Sequence, residues 1–310
     1  MPVVIGIMTV PLSKYTRLKV NYGNYFDSYI ANSYVKWLEQ SGAQVVPIPF
    51  NWSSSKIKKT LKQVNGVLFP GGDIDRDTKL DFRRYVTCYK QIFEYAIKEN
   101  DKGNHFPLWG TCLGFEFLCM MPYDPYTILT NYHDNLDFII LDKVASRNQN
   151  LNFNLYKNSK MPISNGKALS KGVKMHFNHS YGFLTDKKTL NVVNKYLRII
   201  STNKDKNNKR FISTIKFKKY PFWGTQWHPE KSAYEFSRPG VMHDLKNITF
   251  GRAWSDLFVK ECGKNNHTLT DSKLLIYHYT LHNPNKLKNY TRKNRIIPLR
   301  KSAFMQSYYF

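Results

Sequence analysis

The sequence predicts an α/β fold with a mostly parallel central sheet flanked by helices. Short apolar runs alternate with amphipathic stretches from Val3 to Thr111, and several runs end in loops that contain glycine or proline. Strands that alternate with helices in this way are typical of a parallel sheet with helices on both faces. The chain has 310 residues, of which 42% are hydrophobic, and this is enough to bury a sizeable core.

The first half of the chain contains four predicted strands and three predicted helices. Each strand is an apolar run, as expected for a strand covered on both faces, and each helix carries apolar residues at helical spacing. The strands lie at residues 3–8, 44–50, 66–69 and from 106 onwards, and the helices at 27–40, 54–63 and 81–100. In such a sheet, reactive residues gather beyond the carboxyl ends of the strands. The loop at residues 70–72 and Cys112 both fall at such ends.

From residue 127 the pattern changes to short β-like runs separated by turns. These runs predict a more antiparallel second half built around the same sheet. They lie at residues 128–129, 137–141, 174–177, 197–201, 211–217 and 223–227, with a polar hairpin tip at 204–209 and a closing helix at 252–262. Beyond residue 266 the chain is basic, rich in Tyr and Asn, and poor in periodicity.

A single cysteine, Cys112, lies between Gly110 and Gly114 at the point where an apolar strand passes into an apolar helical run. This is the layout of a nucleophile elbow, in which a strained residue is held on a sharp turn. The two glycines would let backbone pass close on both sides, where a Cβ would collide. The helix N-terminus would favour the thiolate. The alternative is that Cys112 is a small core residue.

A thiol nucleophile needs a base and a group that orients the base, and His228 and Glu230 supply both. His228 follows a β-like run, and Pro229 stiffens the turn after it. The Glu230 carboxylate can then fold back onto the imidazole N–H. The cysteine elbow, the Gly-Gly loop and this His-Pro-Glu segment all follow predicted strands, and together they favour a catalytic site.

These motifs resemble those of class I glutamine amidotransferase-type domains, and among them most closely the γ-glutamyl hydrolase family, peptidase family C26. The shared segments are Pro-Gly-Gly at 70–72, Gly-Thr-Cys-Leu-Gly-Phe-Glu at 110–116 and Gln-Trp-His-Pro-Glu-Lys at 226–231, with further likeness at Asp75, 83–85, 178–182 and 261–266. The resemblance spans residues 3–266. It implies a catalytic domain at 1–269 and leaves a basic C-terminal extension at 270–310, which we expect to be dispensable for the chemistry.

The resemblance implies cleavage of γ-glutamyl amide bonds, above all those of folylpoly-γ-glutamates, through a thioester intermediate. Cys112 would attack the amide carbonyl. His228 would take the thiol proton and then protonate the leaving amine, while Glu230 would orient His228.

The resemblance also implies roles around this triad. The backbone N–H groups of Gly72 and Leu113 would form the oxyanion hole. His179 would lie in the substrate cleft. Glu116 matches a family glutamate near the nucleophile and would contact substrate, or else anchor the elbow helix.

The net charge of +25 is compatible with an anionic ligand, nucleic acid or an acidic membrane surface, or with a bias of composition. No nucleic-acid-binding signature accompanies the charge, which favours a bias of composition over nucleic acid. The resemblance implies an anionic γ-glutamyl small molecule as the partner, and we expect neither nucleic acid nor a membrane surface. A homodimer stays open. The spacing of the four cysteines fits no zinc pattern, and we expect no metal and no cofactor.

Two other functions stay open at this point. The first is a glutaminase or a hydrolase of another small γ-glutamyl compound on the same fold. The second is a non-catalytic nucleic-acid-binding or scaffold protein, against which the intact Cys112, His228 and Glu230 set argues. Because the chain starts at the first strand with no visible signal peptide, we expect a cytoplasmic location, although family members are often lysosomal or secreted.

Overall fold

A seven-stranded sheet forms the centre of the molecule in a computed structural model. The model describes residues 2–12, 26–74, 79–122, 141–157, 159–283, 290–292, 295–297 and 304–310. The strands are β1 (Val3–Met8), β2 (Val10–Pro11), β3 (Ser28–Ala31), β4 (Ala43–Ile48), β5 (Gly66–Phe69), β6 (Leu108–Thr111), β7 (Leu141–Asn152), β8 (Lys174–Phe183), β9 (Leu197–Lys204), β10 (Arg210–Phe217), β11 (Phe222–Thr225), β12 (Leu281–His282), β13 (Tyr290–Arg292), β14 (Arg295–Ile297) and β15 (Ser307–Tyr309).

The helices cover this sheet and connect its strands. They are α1 (Asn32–Glu39), α2 (Ser54–Leu61), α3 (Lys79–Asp101), α4 (Leu113–Met120), α5 (Gly166–Ser170), α6 (Lys187–Tyr196), α7 (Lys231–Tyr234) and α8 (Leu245–Cys262), with short 3-10 helices at Ser272–Leu274 and Ile276–His278. Among the described residues, no helix is both long and apolar enough to span a membrane.

The central sheet has the order β4-β1-β5-β6-β11-β10-β9. The first five strands in this order run parallel. At one edge, β10 pairs antiparallel with β11, and β9 pairs antiparallel with β10. This confirms the predicted fold class of a mostly parallel sheet flanked by helices. It also brings the carboxyl ends of β5, β6 and β11 side by side, so that the segments that follow these three strands meet at one edge.

Side chains alternate between the two faces of β1, and both faces are buried. Val4 and Met8 join one hydrophobic cluster, whereas Ile5 and Ile7 join the other. This is the arrangement expected when helices cover both sides of a parallel sheet. Each cluster is rich in aromatic rings, which contribute large buried areas.

The described structure differs from the sequence prediction in two places near the site. Residues 28–31 form strand β3 rather than the first turn of a helix, and α1 begins only at Asn32. The hairpin of β7 and β8 is also longer than predicted. Its strands span residues 141–152 and 174–183, whereas the sequence predicts extended structure only at residue 141 and at 174–177 within these strands. The predicted runs at 128–129 and 137–140 lie outside the described residues.

Residues 307–309 of the C-terminal extension pack on the domain. Strand β15 pairs antiparallel with β3 and with β12, in a four-stranded sheet of order β12-β15-β3-β2. Tyr308 and Tyr309 are buried there, and Ile276 joins one of the two main clusters. The boundary at 269/270 and the dispensability of the extension for the chemistry stay predictions. Residues 307–309 pack here because β3 provides an edge to which this segment adds a strand.

Candidate active site

Cys112 lies on the sharp turn between β6 and α4, with φ 52° and ψ −106°. Positive φ is strained for a residue with a Cβ, and such strain is characteristic of a nucleophile elbow. A Cβ on Gly110 would lie 2.6 Å from the Gly114 oxygen, and one on Gly114 would lie 2.2 Å from the Phe69 oxygen. Both glycines are therefore required by close backbone contacts, as the sequence predicts.

The thiol of Cys112 is buried, and its Sγ donates to the Asn178 carbonyl oxygen at 3.8 Å. Burial raises the pKa of Cys112, and the Glu116 carboxylate raises this pKa further. The ammonium of Lys231 and the backbone N–H of Leu113 lower it by less. The N–H of Leu113 at the helix N-terminus thus favours the thiolate, as the sequence predicts, but burial has the larger effect and keeps the pKa of the thiol raised. A base must take the proton during attack.

His228 is placed to be that base. Its Nδ1 lies 2.8 Å from Glu230 Oε1, and both side chains are buried. The Nδ1–H thus donates to the carboxylate, which leaves a lone pair on Nε2. Among the described residues, this Nε2 has no hydrogen-bond partner. Burial keeps the pKa of His228 well below its usual value, so the imidazole is neutral and able to accept a proton.

Cys112 and His228 converge on Gly71. A Cβ at Gly71 would lie 2.9 Å from His228 Cε1 and 3.0 Å from Cys112 Cβ. The two atoms are hence no more than about 6 Å apart. Because Gly71 has no side chain, the loop after β5 passes directly beside the nucleophile and the base.

Glu230 is fully buried, and burial raises its pKa. The neighbouring Lys231 ammonium opposes this rise most strongly, and the Tyr34 hydroxyl adds to the opposition. These two groups stabilise the carboxylate as an anion that can hold His228 and balance an imidazolium.

Tyr34 lies within the helix predicted at residues 27–40, and nothing in the sequence singles it out as a site residue. Its hydroxyl accepts a hydrogen bond from the Gly71 N–H at 2.8 Å and lies 3.4 Å from His228 Nδ1. It therefore joins α1 to the loop at residues 70–72. The signal in the sequence was a tyrosine among other apolar and aromatic positions of the predicted helix, which is too weak to assign a role.

The loop at residues 70–72 and Leu113 both lie near the nucleophile. The Gly71 N–H is occupied by Tyr34, whereas no hydrogen bond between described residues occupies the Gly72 N–H. The Leu113 N–H points at the Cys112 sulfur. These positions are compatible with the oxyanion hole that the resemblance implies, and the assignment stays a prediction.

His179 and Glu116 have different surroundings. His179 Nδ1 donates to the Tyr181 carbonyl oxygen at 2.6 Å, and burial lowers its pKa to about 4, so the ring is neutral. Its buried Nε2 has no partner within the described chain, and it follows Asn178, which contacts the nucleophile. Glu116 Oε1 instead accepts from Gln226 Nε2 at 2.9 Å. This hydrogen bond connects α4 to the segment after β11. It favours the alternative in which Glu116 anchors the helix rather than contacts substrate.

Two further residues lie close to the base and were not selected from the sequence. The ring centroid of His176 is 6.3 Å from that of His228. The backbone N–H of His228 donates to the backbone carbonyl oxygen of His176. Lys231 is buried directly after Glu230, and its charge helps to keep His228 neutral. The motif at 226–231 contained this lysine but gave it no function.

Within the described ranges, no group of three or more His, Cys, Asp and Glu side chains is arranged as a metal site.

The chain is similar to several known proteins. A family model described as Peptidase C26 matches residues 3–230. Gamma-glutamyl hydrolase B of Dictyostelium discoideum is 36% identical over 282 residues, which are 89% of this chain and 78% of that protein. Gamma-glutamyl hydrolase of Homo sapiens is 33% identical over 84% of this chain and 79% of that protein. Gamma-glutamyl hydrolase of Bos taurus is 35% identical over 81% and 77%.

Proposed function

The chain belongs to the peptidase C26 family and is a hydrolase, and we propose that it cleaves γ-glutamyl amide bonds, with folylpoly-γ-glutamates as substrates. One observation carries the chemistry. A buried cysteine on a strained elbow lies beside a neutral histidine, and Glu230 holds Nδ1 of that histidine at 2.8 Å. The names of the relatives supply the γ-glutamyl bond as the substrate class.

In the first step, Cys112 Sγ attacks the carbonyl carbon of the γ-amide while its proton passes to Nε2 of His228. The new S–C bond produces a tetrahedral oxyanion, which the N–H groups of Gly72 and Leu113 would stabilise. Glu230 balances the imidazolium that forms.

In the second step, His228 gives its proton to the amine nitrogen, the C–N bond breaks, and a γ-glutamyl thioester remains on Cys112. Water then attacks the thioester carbonyl and loses a proton to His228. The C–S bond breaks, the carboxylic acid product leaves, and Cys112 recovers its proton. The same imidazole therefore serves as base, acid and base again.

Charge supports an anionic substrate. A poly-γ-glutamate carries one α-carboxylate per residue, and the chain has a net charge of +25. A basic protein attracts such a ligand and can raise its association rate. The cytoplasmic location and a homodimeric state stay predictions.

The direct experiment is to incubate the purified protein with folate pentaglutamate and identify the products by mass, with free glutamine in a parallel reaction. Cys112→Ala is the matched control. We expect shortened folates or released glutamates from the wild type and none from the variant. Turnover of glutamine without cleavage of the pentaglutamate would favour the glutaminase function instead.

A further inference from the structure

The last residues of the chain are fixed to the start of α1 by β-sheet hydrogen bonds. Strand β15 pairs with β3 in the register Ser307–Ala31 and Tyr309–Tyr29. The Phe310 carbonyl oxygen accepts from the N–H groups of residues 27 and 28, at 2.6 and 3.0 Å. Main-chain pairing of this kind gives a strong and directional attachment.

Gln306 then completes the N-terminus of α1. Its backbone oxygen accepts from the Asn32 N–H at 2.9 Å, and its Oε1 accepts from Asn32 Nδ2 at 3.0 Å. The helix has no side-chain cap of its own, because Ala31 precedes it. The chain terminus thus provides an acceptor for a helix N–H that the local sequence leaves unsatisfied. Tyr34, which binds the Gly71 N–H, lies in the first turn of this helix.

Residues 304 and 305 reach the other side of the site. The Met305 N–H donates to Glu235 Oε2 at 2.9 Å, and Glu235 lies at the end of α7. The Phe304 ring lies 5.7 Å from Nζ of Lys231, the first residue of α7. A cation held over an aromatic face in a buried place is a stabilising contact.

Phe304 also reaches the loop at residues 70–72 through Tyr29. The two ring centroids are 5.8 Å apart, and the Tyr29 hydroxyl lies 3.2 Å from the position of a Cβ on Gly72. One aromatic ring is therefore in contact with both the segment that carries Glu230 and Lys231 and the tyrosine that faces Gly72.

We infer that residues 304–310 position the active site, because they fix the loop at Gly71–Gly72 and the segment at Glu230–Lys231 in one arrangement. Phe304 and Gln306 are positioning residues that act through Lys231, Tyr29 and Tyr34. This replaces the expectation that the extension is dispensable for the chemistry. The inference rests on the proposed function for its kinetic test, and a second readout below is independent of that function.

The central variant is Phe304→Ala, with Phe304→Tyr as the conservative rescue and Tyr277→Ala as the matched control. Tyr277 lies in the same extension and is largely exposed, so its loss removes an aromatic ring away from the site. We expect Phe304→Ala to lower kcat by about tenfold and to leave KM within about twofold, because the ring makes a cation–π contact but does not bind substrate. Phe304→Tyr and Tyr277→Ala should keep kcat near the wild-type value.

A chain that ends at residue 303 extends the test. We expect it to lose more activity than Phe304→Ala, and a synthetic peptide of residues 304–310 should restore activity in a saturable way by adding a strand to β3. If the shortened chain does not fold, the kcat of Phe304→Ala alone tests the inference. Wild-type kcat in Phe304→Ala, or a fall in Tm without a fall in kcat, would overturn the inference.

The second readout is the rate at which iodoacetamide alkylates Cys112, followed by peptide mass. Cys112 is buried, and loosening the two segments should expose it, so Phe304→Ala should be alkylated at least about threefold faster than Tyr277→Ala. Equal rates would contradict the inference. If the wild type cleaves no γ-glutamyl substrate, the proposed function fails, and this rate still tests the positioning role.

Discussion

The two sides of the active site are built in different ways. On one side, the elbow is made by neighbouring residues of β6 and α4, and close backbone contacts at Gly110 and Gly114 fix its shape. On the other side, the wall is assembled from α1, the loop after β5, the segment at 228–235 and the chain terminus. Those parts are separated in sequence and are joined by hydrogen bonds and ring contacts.

The difference indicates how each side responds to change. Steric contacts between backbone atoms cannot relax when a methyl group is added, so the elbow should fail abruptly. A single hydrogen bond contributes about 0.5–1.5 kcal/mol. Loss of one contact in the wall should therefore reduce activity only partly, and each further loss should reduce it more. The following predictions test this contrast.

The largest effect should come from Cys112→Ala. The substitution removes the nucleophile and leaves the backbone turn intact, so turnover should fall by several orders of magnitude while the fold is unchanged. Kinetics and a circular dichroism spectrum check both parts. A variant with near-normal turnover would refute the assignment of the nucleophile.

His228→Asn should be almost as damaging, and Glu230→Gln should be about two orders of magnitude milder than His228→Asn. The imidazole moves the proton in every step, whereas the carboxylate orients the ring and balances its charge. Single-turnover rates for both variants give the comparison. Equal defects would mean that Glu230 does more than orient the base.

Gly114→Ala tests the steric side directly. Its Cβ would lie 2.2 Å from a backbone oxygen, so the elbow must shift, and we expect at least about a hundredfold loss of kcat or an insoluble protein. Gly263→Ala is the control, since a Cβ there meets nothing closer than 3.5 Å. Normal activity in Gly114→Ala would show that the elbow is more adaptable than its contacts indicate.

Tyr34→Phe tests the wall. The variant loses the hydroxyl that accepts from the Gly71 N–H, but it keeps the ring in the core. The loss of about 1 kcal/mol should reduce kcat/KM by about fivefold to tenfold. A loss as deep as that of His228→Asn would place Tyr34 among the groups that take part in bond making.

The smallest effect should be that of salt. If positive charge steers a poly-γ-glutamate, kcat/KM should fall as ionic strength rises, and it should fall more steeply for a pentaglutamate than for a diglutamate. Steady-state kinetics at several salt concentrations give the two slopes. Equal slopes would mean that the charge of +25 has no role in catalysis.

The elbow side was predictable because its signals are local. A nucleophile elbow needs Gly110, Cys112 and Gly114 at their spacing, and all three lie within five residues. The strand before them and the helix after them also have the expected patterns. The parallel sheet was predictable for the same reason, since alternation of strands and helices is visible along the chain.

The wall could not be predicted from local patterns. Residues 28–31 have helical spacing with the segment after them, but they form a strand because β15 pairs with them from the far end of the chain. Lys231 and Tyr34 are buried at the site, and their contacts are with segments distant in sequence. Tyr34 binds the Gly71 N–H, and Lys231 lies against the Phe304 ring. The pKa of Cys112 depends on the same burial, which raises it, whereas the helix N-terminus lowers it. The local pattern therefore gave only the smaller of these two contributions.

The most direct test of the account is to identify the acyl-enzyme. The wild-type protein would be mixed with a γ-glutamyl substrate, quenched in acid during turnover, and digested for peptide mass analysis. The account predicts a γ-glutamyl adduct on the peptide that contains Cys112, released by hydroxylamine and absent from Cys112→Ala. An adduct on another residue, or full turnover by Cys112→Ala, would contradict it.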